Sequence, residues 1–460
     1  MLLAACCLLG GLGLSPKLAP AVLAQRAPAP AAFDTRLYDV AAAPRADRIE
    51  ADVRRLAGFG TRHSLSDTLS ATRGIGAARR WVEAEFRRIS QACGGCLEVH
   101  VQRTVFDSAG NRRIDVPTEI VNVYAVLRGT KRPDRYAIMS GDIDSRISDP
   151  MDRTGASPGA NDNASGMAGV LEAARVLTDY RFDHSIVFAG LSGEEQGLFG
   201  GRALAEKARA EGWQVLGVLN NDMIGNTRGV DGVVDNRAFR IFSEANFPDA
   251  NERTRVWRRF YGGEVDGPSR QLARYVNRLT AQYLPQLDPM MIYRLDRFGR
   301  GGHHRPFNDA GFAGVRIMEA HEHYHRQHQD LRTEGGRAYG DVVEFVDFDY
   351  AARLTAVNAV ALASLAWAPP PVERVDIGGA VAPAARLRWV PDENADVLGY
   401  KLYYRLTTEP QWTHYVWVPG DVTEHTLTGL VVDNYLFGVA AVGRLGHESV
   451  VVFPTVVMRG

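Results

Sequence analysis

The sequence predicts an α/β protein in which a mostly parallel mixed sheet is flanked by helices, followed by a smaller all-β sandwich. Three observations carry this. Short apolar runs at 135–140, 184–190 and 214–221, such as Ser185-Ile-Val-Phe-Ala-Gly190, read as strands buried on both faces. Helical patterns at 164–177 and 197–211 alternate with them, which implies parallel pairing through crossover helices. After Ala368-Pro-Pro-Pro371 the pattern changes to short alternating strands separated by turn signals.

The 460-residue chain opens on Met-Leu-Leu-Ala-Ala-Cys-Cys-Leu-Leu, an apolar run too short to cross a bilayer, followed by Val22-Leu-Ala24. Small residues there suit signal peptidase, so residues 1–24 read as a secretion signal and the mature protein as secreted or periplasmic. No later run of about 18 apolar residues exists, so no membrane span is expected. Residues 25–44 are Ala/Pro-rich and read as a disordered lead-in. Two cysteines then remain, Cys93 and Cys96. In a secreted chain their Cys-Gly-Gly-Cys spacing predicts a small local disulfide. Lys plus Arg (53) nearly cancels Asp plus Glu (54), which argues against a nucleic-acid partner; the cluster Arg253 to Arg259 fits a solvated helix face.

A helix is expected at 75–89, with Trp81, Phe86 and Ile89 on one face, then alternating strands at 97–106 and 119–127. The stretch 228–302 carries few signals. A helix at 269–283 follows the Gly267-Pro268 start, and a strand is expected at 290–295. A strand at 314–319 precedes a His-rich tract, and a helix at 347–367 closes a domain spanning 45–367. Residues 368–371 read as a stiff linker. Beyond it, Trp389, Gly399-Tyr400-Lys-Leu-Tyr-Tyr404, Leu430 and Tyr435 resemble a fibronectin type III domain over 372–460, a module that spaces or binds and whose partner the sequence does not name.

The chemistry lies in four acidic segments at predicted strand ends: Ser140-Gly-Asp-Ile-Asp-Ser145, Gly159-Ala-Asn-Asp-Asn-Ala-Ser-Gly166, Ser192-Gly-Glu-Glu-Gln-Gly197 and Asn220-Asn-Asp-Met-Ile-Gly225. Open parallel sheets bind ligands at the carboxyl ends of their strands, so Asp142, Asp162, Glu194, Glu195 and Asp222 should converge there. Crowded carboxylates repel one another, and a cation is the usual reason a protein assembles several. Any one segment alone would read as an ordinary turn; four in succession point to a metal site.

Gly159 to Gly166, Gly193-Glu-Glu-Gln-Gly-Leu198, Asn221-Asp-Met-Ile-Gly225 and a late His before an Asp resemble metallopeptidase family 28 over residues 45–367. This family comprises secreted dizinc aminopeptidases, with glutaminyl cyclases and glutamate carboxypeptidases among its relatives. The resemblance implies a zinc exopeptidase-like fold and two divalent metals. Asp162 would bridge them, Glu195 and a late histidine would complete the first, Asp222 would bind the second, and Glu194 would be the general base. Two positions depart from the family. Asp142 stands where the family has His in Gly-His-x-Asp, leaving a second site of Asp142, Asp162 and Asp222 that suits another divalent ion or stands empty. His303 stands where Asp is frequent, with His304 and Phe307 matching, and Asp144 would orient a ligand. For the late ligand both His325 and His328 are open; the nearby Asp330 points to His328.

The leading expectation is therefore a secreted metallo-aminopeptidase acting on peptides or proteins. Glutaminyl cyclisation with one zinc on Asp162, Glu195 and His328 is a second, and a non-catalytic binding ectodomain a third. Retention of Glu194 beside Glu195 argues against the last, because without a cation the pair only repels.

Overall fold

The computed structural model describes residues 33–245, 251–260, 262–263, 266–393 and 395–458; the expected signal, residues 1–24, lies outside them. An eight-stranded mixed sheet forms the body, built from β1 (Leu97–Phe106), β2 (Thr118–Leu127), β3 (Arg132–Asp142), β4 (His184–Leu191), β5 (Gln214–Asn221), β6 (Ala238–Ser243), β7 (Asp288–Ile292) and β8 (Gly314–Glu319). Their spatial order is β1-β2-β4-β3-β5-β8-β6-β7. The four central strands, β4, β3, β5 and β8, run parallel. Antiparallel pairs flank them, β1 with β2 and β2 with β4 on one side, β6 with β8 on the other.

Alternation along the central strands divides the core into two faces. Ala137 and Met139 of β3, with Ile186 and Phe188 of β4, join the larger core, which α1 (Arg36–Ala42), α2 (Ala46–Ala57), α3 (Gly74–Ala92), α4 (Gly166–Leu177), α8 (Pro268–Tyr283) and α10 (Phe348–Trp367) cover. Tyr136, Ile138, Val187 and Ala189 face the opposite way. They pack under α6 (Phe199–Ala210) and α9 (His304–Asp309). Two further helices, α5 (Glu194–Gly197) and α7 (Glu252–Arg258), are short. The Asn251 side chain caps α7 by accepting from Thr254 N.

The N-terminal lead-in departs from expectation. Within 25–44, residues 36–42 are helical and Leu37 and Val40 are fully buried. Composition registers the alanines and prolines, while the order comes from tertiary contact: α1 lies against α10. The strand expected at 290–295 is found at Asp288–Ile292, and β6 and α7 fill part of the stretch that carried few signals. Cys93 and Cys96 are joined in a disulfide just after α3.

A hairpin of β9 (Arg332–Glu334) and β10 (Arg337–Tyr339) precedes α10. Past Trp367, two sheets stack face to face. One holds β11 (Arg374–Gly378), β12 (Ala384–Val390), β15 (Glu424–Thr428) and β17 (Val456–Val457); the other holds β13 (Gly399–Leu406), β14 (His414–Pro419) and β16 (Tyr435–Val442). Leu387 and Trp389 from the first meet Leu402, Phe437 and Val439 from the second in one core.

This sandwich is clamped to the body. Asp266, fully buried, accepts from Arg274 of the body at 2.6 Å and from Arg405 of the sandwich at 2.9 Å. Trp412 Nε1 donates to Gln271 at 3.1 Å, and His447 pairs with Asp34 at 2.7 Å. Ala368, Pro369 and Pro370 are buried, so the proline run is part of an interface rather than a free spacer. Local composition cannot show this, because the partners lie more than a hundred residues apart.

Candidate metal centre

Three strand ends and one loop build the site. Gly193, at φ 74°, turns the chain at the end of β4, in the left-handed region that suits glycine. Glu194 and Glu195 follow as the opening residues of α5. Their backbone N–H groups both donate to the Asp144 carboxylate, each at 3.2 Å, and Ser64 Oγ donates to the same group at 3.1 Å. Asp144 thus sets the direction of the acidic pair without touching a ligand atom.

Asp162 sits in the irregular turn Ala160–Ser165 ahead of α4. That turn is held from two sides. Asp341, beyond β10, accepts from the backbone N–H groups of Asn161 (2.9 Å) and Asp162 (2.7 Å). Arg62, fully buried, donates to the carbonyls of Ile143 (2.8 Å) and Gly159 (2.9 Å), tying the turn to the end of β3.

His328 completes a group of three. Its Nε2 lies 2.9 Å from Asp162 Oδ2 and 3.0 Å from Glu195 Oε1, and one ligand atom from each residue falls within 4.8 Å of the others. His328 holds φ 52°, which costs a non-glycine residue about 1–2 kcal/mol and which the surrounding contacts sustain. Burial works against a charge on this imidazole, but Glu195 and Asp162 outweigh it and raise its pKa to about 9. Against burial, the imidazole holds both Asp162 and Glu195 below the usual carboxylate range. The Nδ1 side faces Arg146 Nη2 at 2.6 Å, and Arg146 Nε donates to Glu195 Oε2 at 2.8 Å.

His325 lies elsewhere, taking a hydrogen bond from Arg337 at 3.0 Å and packing against Tyr339. Asp330, the residue that favoured His328 in the sequence, accepts from Ser148 at 2.6 Å instead. What selects His328 is its reach to Asp162 and Glu195.

Asp142 and Asp222 stay outside this group. Asp142 is buried between His303 Nδ1 at 2.5 Å and Asn163 Nδ2 at 2.6 Å. Burial, reinforced by Asp162 and Glu195, pushes Asp142 up to about 8, while burial brings His303 down to about 4. Both shifts favour the neutral form of each group. Asp222 Oδ2 is 2.9 Å from Arg316 Nη2, and Arg297 stands 3.9 Å away. Arg316 is fully buried on β8 and reaches Asp296 with its other arm at 3.1 Å. Asp222 Oδ1 is buried and has no partner among the described residues.

A cleft of about 770 Å³ opens over these groups, lined by Asp162, Glu194, Glu195, Asp222 and His328. Among the described residues nothing hydrogen-bonds the Glu194 carboxylate. Burial first, then the charges of Glu195 and Asp222, raises its pKa well above the ordinary glutamate value.

The pattern described as peptidase family M28 matches residues 122–346, the span holding every residue named at this site except Arg62 and Ser64. A probable zinc metalloprotease of Pyrenophora tritici-repentis is 38% identical over 424 residues, covering 92% of this chain and 98% of that protein. The chain belongs to peptidase family M28. Among solved structures, the M28 chain resembles the LapA aminopeptidase of Legionella pneumophila at 14% identity and a TM-score of 0.51, covering 78% of this chain and 77% of that one. It also resembles a glutaminyl cyclase of Macrostomum lignano at 16% identity and a TM-score of 0.50, covering 73% and 94%. At these identities the likeness concerns the fold alone.

In this M28 chain the three-residue group fits a divalent cation: two carboxylates and an imidazole converge, buried or half-buried, and Arg146 holds Glu195 Oε2 and His328 Nδ1 while Glu195 Oε1 and His328 Nε2 face each other. The neighbouring position does not fit a second ion. A guanidinium already occupies the charge of Asp222, and Asp142 is spent on His303 and Asn163. Arg316, Arg146, Asp341 and Arg62 were missed in the sequence. Only Arg316 left a visible signal, an arginine inside the apolar strand Gly314-Val-Arg-Ile-Met-Glu319.

Proposed function

We propose that the chain is a secreted aminopeptidase that holds one zinc ion on Asp162, Glu195 and His328. The observation that carries this is the convergence of those three ligand atoms in the cleft that Glu194 also lines, a carboxylate with no hydrogen-bond partner among the described residues. Zinc bound there would supply a Lewis acid that activates water and polarises the scissile carbonyl. Glu194 takes the proton from the attacking water and passes it to the leaving amine; burial and the charges of Glu195 and Asp222 make it more basic than an ordinary glutamate. Asp144 keeps Glu194 and Glu195 divergent, so that one binds while the other stays free. Asp222 lines the same cleft and is the carboxylate that would accept from a substrate ammonium group, which favours substrates with a free N-terminus. Export is supported by the apolar start of the chain and by the Cys93–Cys96 disulfide. Residues 372–460, with sheets of four and three strands, are read as a fibronectin type III-like module.

One observation favours a second reading. A single three-residue group is also what one-zinc cyclisation of N-terminal glutamine would need. Zinc-loaded protein incubated with leucinamide and with an N-terminal Gln peptide separates the two: release of leucine supports hydrolysis, and release of ammonia without chain cleavage supports cyclisation. Glu194→Gln should lower turnover by about two to four orders of magnitude with zinc content unchanged. Loss of zinc in this variant would make Glu194 a ligand and overturn the assignment.

A further inference from the structure

The cleft does not end at the metal group. It continues between α6 and α9, whose facing residues line the same cavity. On α6 these are Arg202, Ala205, Glu206 and Arg209, spaced as one helical stripe; on α9 they include Arg305 and Asp309. From Arg202 to Arg209 the helix rises by about 1.5 Å per residue, giving a wall of roughly 10 Å, enough for about three residues of extended peptide.

The wall is cationic although the whole chain is nearly neutral at formal net −1. Arg202 and Arg209 make no ion pair among the described residues, and Arg305 reaches Asp309 only at 3.7 Å. Arg202 lies over the rings of Phe199 and Phe106, 5.6 and 5.9 Å from their centroids, which leaves its guanidinium edge for a ligand. Arg300, half-buried on the loop opposite, shares Glu322 with Arg297 and Arg240, so three guanidinium groups surround one carboxylate. Along this wall the arginines outnumber Glu206 and Asp309, and a groove with an excess of one sign of charge attracts the opposite sign.

We infer that the groove between α6 and α9 binds the acidic segment of a peptide, carboxyl-terminal to the scissile bond. This deepens and rests on the aminopeptidase reading: the N-terminal residue lies at the closed end beside Asp222, and the remainder leaves along the arginines. Carboxylate side chains two to four residues beyond the cleaved bond are held, and lysines there are repelled.

The test uses the full-length zinc-loaded chain and three pentapeptides sharing Leu-Gly at the N-terminus, ending in Glu-Asp-Glu, Gln-Asn-Gln or Lys-Lys-Lys. KM for the acidic peptide should be about five- to tenfold below that of the neutral one, with similar kcat, and the gap should shrink as salt screens the contact. The double variant Arg202→Ala/Arg209→Ala should bring the acidic-to-neutral ratio close to one, and Arg202→Lys/Arg209→Lys should retain most of it. Equal KM values, or preference for the lysine peptide, would overturn the inference. Should no peptide be cleaved, the aminopeptidase reading fails. Fluorescence anisotropy of a labelled Glu-Asp-Glu peptide then still decides the groove: salt-sensitive binding lost in the alanine variant supports it, and absence of binding rejects it.

Discussion

Asp162 and Asp222 are both buried, both sit at the carboxyl edge of the parallel strands, and both line one cleft, yet they are neutralised in different ways. Asp222 has a cation supplied by the fold: Arg316 reaches it from β8 at 2.9 Å. Asp162 has a histidine it shares with Glu195, and Arg146 contacts Glu195 and His328 rather than Asp162. A buried carboxylate needs a counter-charge, and whether that charge is an arginine or an ion depends on what the adjacent strand carries. Asp266, between Arg274 and Arg405 under the sandwich, belongs with Asp222.

Substitution should separate the two classes. Asp162→Ala is expected to weaken zinc binding by at least about a hundredfold, since losing even an outer partner of a ligand costs ten- to a hundredfold. Asp222→Ala should leave zinc affinity within a few-fold of wild type. Its effect falls on stability, roughly 3 kcal/mol or more, because Arg316 is left buried with Asp296 alone. Zinc titration and denaturant unfolding of both variants measure the contrast, and equal zinc loss in the two would erase it.

A smaller effect is expected at the interface. Arg405→Met removes the buried charged contact of its Nη2 with both oxygens of Asp266 and should lower stability by about 2 kcal/mol in denaturant unfolding, with zinc binding untouched. Any change in zinc affinity would mean that the sandwich shapes the site.

A further contrast lies in the proton count. In the metal-free protein His328 is raised to about 9 against about 6.5 unfolded, so its contribution to stability is full below 6.5 and is lost as pH rises through 9. Zinc must displace the same proton. Binding at pH 7 should release about one proton per ion, measured by calorimetry in buffers of different ionisation enthalpy. No release would mean that Arg146 already holds His328 neutral by donating to Nδ1.

The same contrast explains what was legible in the sequence. Strand ends are local events: an apolar run followed by Asp, Glu and Gly announced β3, β4 and β5, and with them Asp162, Glu194 and Glu195. The partners of those carboxylates are not local. Arg316 lies 94 residues from Asp222, Asp341 lies 179 from Asp162, and the clamp on Asp266 joins residues 139 apart. His328 was reached through its neighbour Asp330, which turns outward to Ser148. The ordered segment at 36–42 was hidden for the same reason, because alanine-rich composition says nothing of the α10 surface that receives it.

The central claim is that this fold supplies its own second cation. Metal analysis by mass spectrometry, on protein equilibrated with excess zinc and then freed of loosely bound ions, tests it directly. Wild type should carry one zinc per chain, and so should Asp142→His, because restoring an imidazole does not remove Arg316 from Asp222. Two tightly bound zinc ions in the wild type would contradict the account.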